Sequence, residues 1–324
     1  MAENIGSVLV IGSAGTIGKP LVRELRRRGR VVHEADLQHG GSPDVIRTDI
    51  AESRQVDVLL DSVRPEYVYN LAAEFGRHNG ERYYEQCWRT NVIGGRHVME
   101  ACARRGIKLI HMSSSEAYGE TPQPIMRESD TEQLPLRHHN DYAMTKWVNE
   151  QQIMNLERAS ELKAVRIRFF NAYGPGEYYH PFRSVVCLFT YAALMGLPYT
   201  VYRGYHRVFM YIDDAVWTLA NVADNFIPGR VYNVGGSEYR SIEDVDRLLR
   251  DMLGERFISN VEVMQKDGHN TVNKRPSIEL AERELGHRLT VDLETGLRRT
   301  VEWMQEVYPS SCRTMIDATR SIAL

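Results

Sequence analysis

Tyr142 and Lys146 lie four residues apart, a spacing that puts two side chains on one face of a helix. A free phenol has a pKa of about 10 and is a poor base at neutral pH. An ammonium one turn away favours the phenolate and makes it a proton acceptor, the more so beside any further positive charge. The same spacing occurs on many solvated helices, so the pair takes its meaning from what surrounds it. One neighbour is the polar run Ser113-Ser114-Ser115-Glu116, which directly follows the apolar stretch Lys108–Met112. Another is the turn Gly12-Ser13-Ala14-Gly15-Thr16-Ile17-Gly18 near the N-terminus. With a serine-rich strand end and a dinucleotide turn beside it, the pair becomes a specific signal.

The elements that position these residues alternate between strand and helix. Val8–Ile11 reads as a buried parallel strand, and Ile17, Leu21, Val22 and Leu25 recur at helical spacing until Gly29. The glycines therefore sit on a strand-to-helix turn, where backbone amides and the positive helix end hold a pyrophosphate. A second strand, Val31–Ala35, ends in Asp36, placed to accept from ribose hydroxyls and to repel a 2′-phosphate. NAD is thus expected rather than NADP. A third strand over 45–50 ends in Asp49 and Ile50, which either flank an adenine or, for Asp49, cap a turn. A helix from Glu52 to Val63 precedes a fourth strand, Tyr67–Ala72, and the loop Ala73–His78 is expected to face the cleft. Glu81–Arg105 reads as one long helix, Lys108–Met112 as the fifth strand, and Asp141 opens the helix of Tyr142. The sixth strand, Ala164–Phe170, runs into Asn171. Beyond it come helices at Val185–Met195, from Asp214, at Ile242–Leu253 and at Leu293–Val307, with strands at Tyr199–Tyr202, Val208–Ile212 and Val231–Val234. The expected fold is α/β, a doubly wound parallel sheet with a smaller C-terminal α/β lobe over the sheet's carboxyl edge.

Composition narrows the function classes. The 324 residues are 43% hydrophobic with a formal net charge of −3, which describes a globular chain with ample core. That balance gives no electrostatic case for nucleic acid or an anionic membrane as partner. No apolar run approaches the roughly 20 residues of a membrane span, and no leader is read before the first strand. Cys87, Cys102, Cys187 and Cys312 have neither metal nor redox spacing. The expectation is a cytoplasmic, metal-free protein.

The sequence resembles the extended short-chain dehydrogenases/reductases that act on sugar nucleotides as epimerases, dehydratases and decarboxylases. The glycine turn is similar to that family's Gly-x-x-Gly-x-x-Gly, Asn70-Leu71-Ala72-Ala73 to its fourth-strand signature, and Tyr142–Lys146 to its Tyr-x-x-x-Lys. Arg168-Phe169-Phe170-Asn171-Ala172-Tyr173-Gly174-Pro175 resembles its sixth-strand end, and Arg207 and Arg275 resemble its diphosphate arginines. Residues 178–206 follow no pattern of the family. The resemblance implies a Rossmann-type NAD-binding domain over 1–172, with a returning segment at about 207–235, and a substrate lobe from 173–206 and 236–324. It also implies a homodimer, built through Glu81–Arg105 and Tyr142–Ser160 as a four-helix bundle, for which Met99, Cys102, Trp147 and Met154 supply surplus apolar surface.

The roles it implies are these. NAD contacts Gly12, Ala14, Gly15, Thr16, Ile17, Gly18, Asp36, Asp49, Ile50, Leu71, Ala72, Ala73, Tyr142 and Lys146. Hydride leaves C4 of a nucleotide-diphosphate sugar while Tyr142 takes the 4-hydroxyl proton and Ser114 bonds the same oxygen, with Ser115 beside it. Glu74, Arg77, Asn171, Arg183, Arg207 and Arg275 are expected to meet substrate. Glu116 bears on the outcome: 4,6-dehydratases and uronate decarboxylases resemble this Ser-Ser-Glu, whereas simple 4-epimerases have a small or uncharged residue there. A carboxylate there either serves the C5 step or caps the loop. C5 chemistry, decarboxylation or dehydration, is the leading expectation. The rivals are 4-epimerisation, a net NAD-dependent dehydrogenase or reductase, and an NAD-sensing regulator without catalysis.

Overall fold

The computed structural model describes residues 6–39, 41–265 and 267–309. Its main sheet contains β1 (Val8–Ile11), β2 (Val32–Asp36), β3 (Val45–Arg47), β4 (Tyr67–Asn70), β5 (Lys108–Met112), β6 (Ala164–Phe169) and β7 (Val231–Val234). The strands are all parallel, in the order β7-β6-β5-β4-β1-β2-β3. Alternate residues of a strand face opposite sides. Val8 and Val10 accordingly pack with Leu21, Val22 and Leu25 of helix α1 (Gly18–Arg27). Leu9 and Ile11 pack on the other face, with Leu59 and Leu60 of α2 (Ser53–Val63), Val98 and Met99 of α3 (Gly95–Arg105), and Ile153 of α4 (Asp141–Ser160). Helix α5 (Ile212–Asp224) completes the first face beside α1. Both faces are covered, which is why the central strands are continuous apolar runs. The expected doubly wound sheet is therefore present, and its order reverses between β1 and β4, where such folds open a crevice at the carboxyl ends.

The C-terminal lobe packs Val185–Met195, Ile242–Leu253 and Leu293–Val307 around their own core. A three-stranded sheet orders Tyr239–Ser241, His206–Val208 and Asn273–Lys274, with Lys274 opposite Arg207.

Several elements differ from the sequence expectation: the fourth strand ends at Asn70 rather than Ala72, and Arg77 and His78 open a helix instead of closing a loop. The third strand stops at Arg47, because the Asp49 carboxylate accepts from the Ala51 amide at 2.9 Å and turns the chain. Val208–Ile212 is divided: Val208 ends one strand, Met210–Tyr211 form another, and Ile212 already begins α5. The single helix expected over Glu81–Arg105 is broken by Tyr83, whose φ of −130° and ψ of 50° separate Arg77–Arg82 from Tyr84–Trp88. A π-helical stretch, Arg89–Gly94, then leads into α3. Such π segments are frequent at functional sites. Here it turns Asn91 inward, where its amide bonds both backbone groups of Glu74 and the Thr145 hydroxyl.

Candidate active site

The glycine turn leaves β1 at Gly12, which has a φ of +87° that an L side chain rarely adopts. A Cβ at Gly12 would stand 2.8 Å from the Ala72 nitrogen, and one at Gly18 would stand 2.1 Å from the Gly12 oxygen. These absences let the turn pass close to β4 and let α1 start directly against it. Gly15 is exposed, and among the described residues the Thr16 and Ile17 amides donate to no protein acceptor. Asp36 holds the turn from β2, accepting from the Ala14 amide and the Gln38 amide, each at 3.0 Å. Free amides at a helix start, with a carboxylate at the adjoining strand end, fit the pyrophosphate and ribose of a dinucleotide. Leu71, Ala72 and Ala73 line the neighbouring strand end, partly exposed. Ile50 is instead buried in the core with α2 and α3.

Tyr142 and Lys146 occupy the first turns of α4, whose start Asn140 caps by accepting from the Ala143 amide at 2.7 Å. Lys146 is buried, its Nζ donating to the Met112 carbonyl at 2.9 Å and lying 5.8 Å from the Tyr142 ring centre. Burial pushes that ammonium down to about 8. The Tyr142 phenol is pushed up, by burial first and then by the Glu116 charge, while its hydrogen bond with Ser114 opposes them. The protein alone thus holds the phenol protonated, and the phenolate that the Tyr–Lys spacing suggests needs further positive charge. Ser114 ends the loop after β5, and its Oγ accepts from the Glu116 amide at 3.2 Å. Ser115 is buried at the start of the 3-10 turn Ser115–Tyr118.

Glu116 is not a free carboxylate. Its Oε1 pairs with Lys274, a residue of the C-terminal lobe, and its buried Oε2 has no hydrogen-bond partner among the described residues. The ammonium holds the Glu116 carboxyl below its usual range against burial, and burial pushes Lys274 down to about 8. Arg77 forms a second bridge between the halves, its Nη2 reaching the buried Asp267 carboxylate at 2.6 Å. Arg207 is 5% exposed and donates to the carbonyls of His206, Thr271 and Val272 and to Asn270 Oδ1, all within 2.7 Å. No carboxylate bonds it among the described residues; burial pushes its guanidinium down to about 10, and the Glu116 charge opposes that only in part.

The remaining sequence candidates are placed as follows. Glu74 accepts from Asn79 at 2.9 Å, on the loop that Asn91 braces. Asn171 sits at a φ of +39° after β6, its amide donating to the Val208 carbonyl. Arg183 lies 4.3 Å over the Phe75 ring. Arg275 is exposed toward Tyr239, whereas its neighbour Lys274 points inward. Sequence reading missed Lys274, Asp267 and Asn91. It also missed a network behind the site: the fully buried Glu150, one turn beyond Lys146, binds Arg168 of β6 bidentately and accepts from Ser113 at 2.5 Å.

Among the described residues no group of side chains could hold a metal ion, and no helix is long and apolar enough to cross a membrane. A UDP-N-acetyl-alpha-D-glucosaminuronate decarboxylase of Bacillus cytotoxicus is 26% identical over 92% of this chain and 98% of its own. A dTDP-glucose 4,6-dehydratase of Streptomyces antibioticus is 30% identical over 93% and 92%. The crystal structure of the Thermus thermophilus UDP-glucose 4-epimerase with NAD superposes with a TM-score of 0.82, at 28% identity, over 92% of this chain and 99% of that one. The family model described as NAD dependent epimerase/dehydratase matches residues 8–235, from β1 through β7 and across Ser114, Tyr142 and Lys146. With that match spanning most of the chain, this protein belongs to the NAD dependent epimerase/dehydratase family.

Proposed function

We propose that this protein oxidises C4 of a nucleotide-diphosphate sugar and then carries out C5 chemistry, decarboxylation or dehydration, before release. The observation that carries the C5 reading is Glu116: a largely enclosed carboxylate, held below its usual pKa range by Lys274, with one oxygen lacking a hydrogen-bond partner among the described residues, in the same cleft as Ser114 and Tyr142. NAD, when bound, supplies the acceptor for the C4 hydride and a positive ring beside the phenol. Tyr142 takes the 4-hydroxyl proton, Ser114 bonds the same oxygen, and Lys146 supplies positive charge to the phenol. The buried charge of Arg207 suits the diphosphate, and Asn171 and Arg275 are assigned to the same group. Asp36 selects NAD over NADP. Residues 1–172 with about 207–235 bind the dinucleotide, and 173–206 with 236–324 bind the sugar.

The named relatives span decarboxylation, dehydration and 4-epimerisation. 4-Epimerisation is the second reading, favoured by the likeness to the UDP-glucose 4-epimerase. Incubation with UDP-, GDP-, dTDP- and ADP-sugars, neutral and uronic, separates them by mass. Loss of carbon dioxide or of water supports the C5 reading. A changed sugar of unchanged mass supports epimerisation. We also propose a homodimer in a reducing, cytoplasmic setting, in keeping with the buried free thiols of Cys87, Cys102 and Cys187; Cys312 lies outside the described residues.

A further inference from the structure

We propose that a cavity in the C-terminal lobe, where three helices end together, is the docking site of residues 310–324 of the same chain. The helices Val185–Met195, Ile242–Leu253 and Leu293–Val307 bring their C-terminal ends to a cavity of about 610 Å³. It shares no lining residue with the site around Tyr142. Leu194, Met195, Leu253 and Ile258 make an apolar wall, and Ile258 is 63% exposed, so the wall lies open to an occupant. Helix C-terminal ends carry partial negative charge and carbonyls without intrahelical partners. Three such ends, with Glu255 on the turn after the second, suit an occupant that combines apolar side chains with cations.

The chain itself supplies that chemistry at the rim. Tyr308 lines the cavity, Pro309 is the last of the described residues, and residues 310–324 follow directly. They carry Met315, Ile316, Ile322 and Leu324 for the wall, Arg313 and Arg320 for the helix ends, and Asp317 for Arg256 of the lining. Cys312 is three residues past Pro309, about 10 Å of extended chain. A segment tethered at the rim meets the cavity at high effective concentration, which favours it over a free partner or a second copy. Docking there also bears on the cleft. Tyr308 accepts from the Tyr179 amide at 2.9 Å, its ring meets Tyr191 at 5.0 Å, and Tyr179 stacks on Tyr191 at 3.8 Å. The next residue, His180, meets the ring of Phe75, in the loop after β4, at 6.0 Å. Holding Tyr308 therefore holds residues 178–180 against that loop.

Cysteine trapping in the full chain tests the proposal, since the thiols of Cys87, Cys102 and Cys187 are buried. Ile258→Cys puts a thiol in the cavity wall. Glu306→Cys puts one on the exposed last turn of Leu293–Val307, off the lining and nearer to Cys312 along the chain. Under mild oxidation Ile258→Cys should form a disulfide with Cys312 within one chain, read by mass spectrometry, at least tenfold faster than Glu306→Cys does. Arg313→Glu, which sets a negative charge against the helix ends, should slow that linkage at least threefold. Deleting residues 310–324 should speed hydrogen exchange of the Tyr179 amide and of amides 305–308 at least threefold. If the shortened chain does not fold, the trap in the full chain still decides. Equal or faster linkage by Glu306→Cys would overturn the inference, because an undocked segment meets the nearer thiol first. A disulfide between two chains would overturn it too, assigning the cavity to a second copy, and so would exchange left unchanged by the deletion.

Discussion

At the residue scale, the site is a set of charges whose burial decides what each can do. Tyr142 is four residues from Lys146, yet burial and the Glu116 charge keep its phenol protonated in the protein alone. We propose that a positive nicotinamide ring beside the phenol is what makes it a proton acceptor. Asp36 is the residue on which we propose that cofactor choice turns. Its two oxygens each accept one backbone amide, from Ala14 and Gln38, and retain lone pairs for ribose hydroxyls. A 2′-phosphate there would meet the Asp36 carboxylate instead of a hydroxyl that can donate to it. NAD should therefore bind far more tightly than NADP by calorimetry, and Asp36→Ala should narrow the preference at least tenfold; equal affinities in the unaltered protein would refute this. Local spacing made Tyr142, Lys146, Ser114 and Asp36 legible in the sequence, because each is defined by a short run around it. Lys274 was not legible. Its partner is 158 residues away, and only the register of its strand turns it inward while Arg275 points out.

At the element scale, the carboxyl ends of β5 and β6 and the first turns of α4 are locked by one buried network. Glu150 receives two bonds from Arg168 and one from Ser113, and Arg168 also donates to Thr131 and lies 4.6 Å over the Tyr118 ring. Removing one member of a buried ion pair leaves the other uncompensated, at a cost of about 3–5 kcal/mol. Glu150→Ala should lower unfolding stability by that order in denaturant melts and displace Lys146, which stands one turn away. A loss below about 1 kcal/mol would show that Arg168 finds another partner. The strands and helices of the sheet were readable from apolar runs and 3.6-residue spacing. The break at Tyr83 and the π stretch Arg89–Gly94 were not, since helical periodicity continues across them and only the demand of Asn91 for Glu74 and Thr145 explains the turn.

At the scale of the whole molecule, two buried-edge bridges, Arg77–Asp267 and Glu116–Lys274, join the dinucleotide-binding half to the C-terminal lobe across the cleft. The face carrying Tyr84–Trp88, Arg89–Gly94 and α4 leaves Tyr84, Ile93 and Met144 exposed. Met99 and Cys102, counted from sequence as surplus apolar surface, are fully buried in the protomer core and do not belong to that face. The exposed set remains enough to motivate dimerisation through these helices. Light scattering at micromolar protein should give twice the mass of the chain, and Ile93→Arg should give the monomer; a monomeric parent protein would remove the proposal. The central claim is that oxidation at C4 and the step at C5 use different side chains of one cleft. Single-turnover absorbance of enzyme-bound NADH tests it most directly, comparing Tyr142→Phe with Glu116→Gln on a sugar that the parent protein converts. Tyr142→Phe keeps the ring but loses the proton acceptor, so NADH formation should fall by roughly two to four powers of ten. Glu116→Gln keeps Ser114 and Tyr142 in place, so NADH should form and accumulate while product does not. Full turnover by Glu116→Gln, with no NADH build-up, would contradict the account and make 4-epimerisation the better reading.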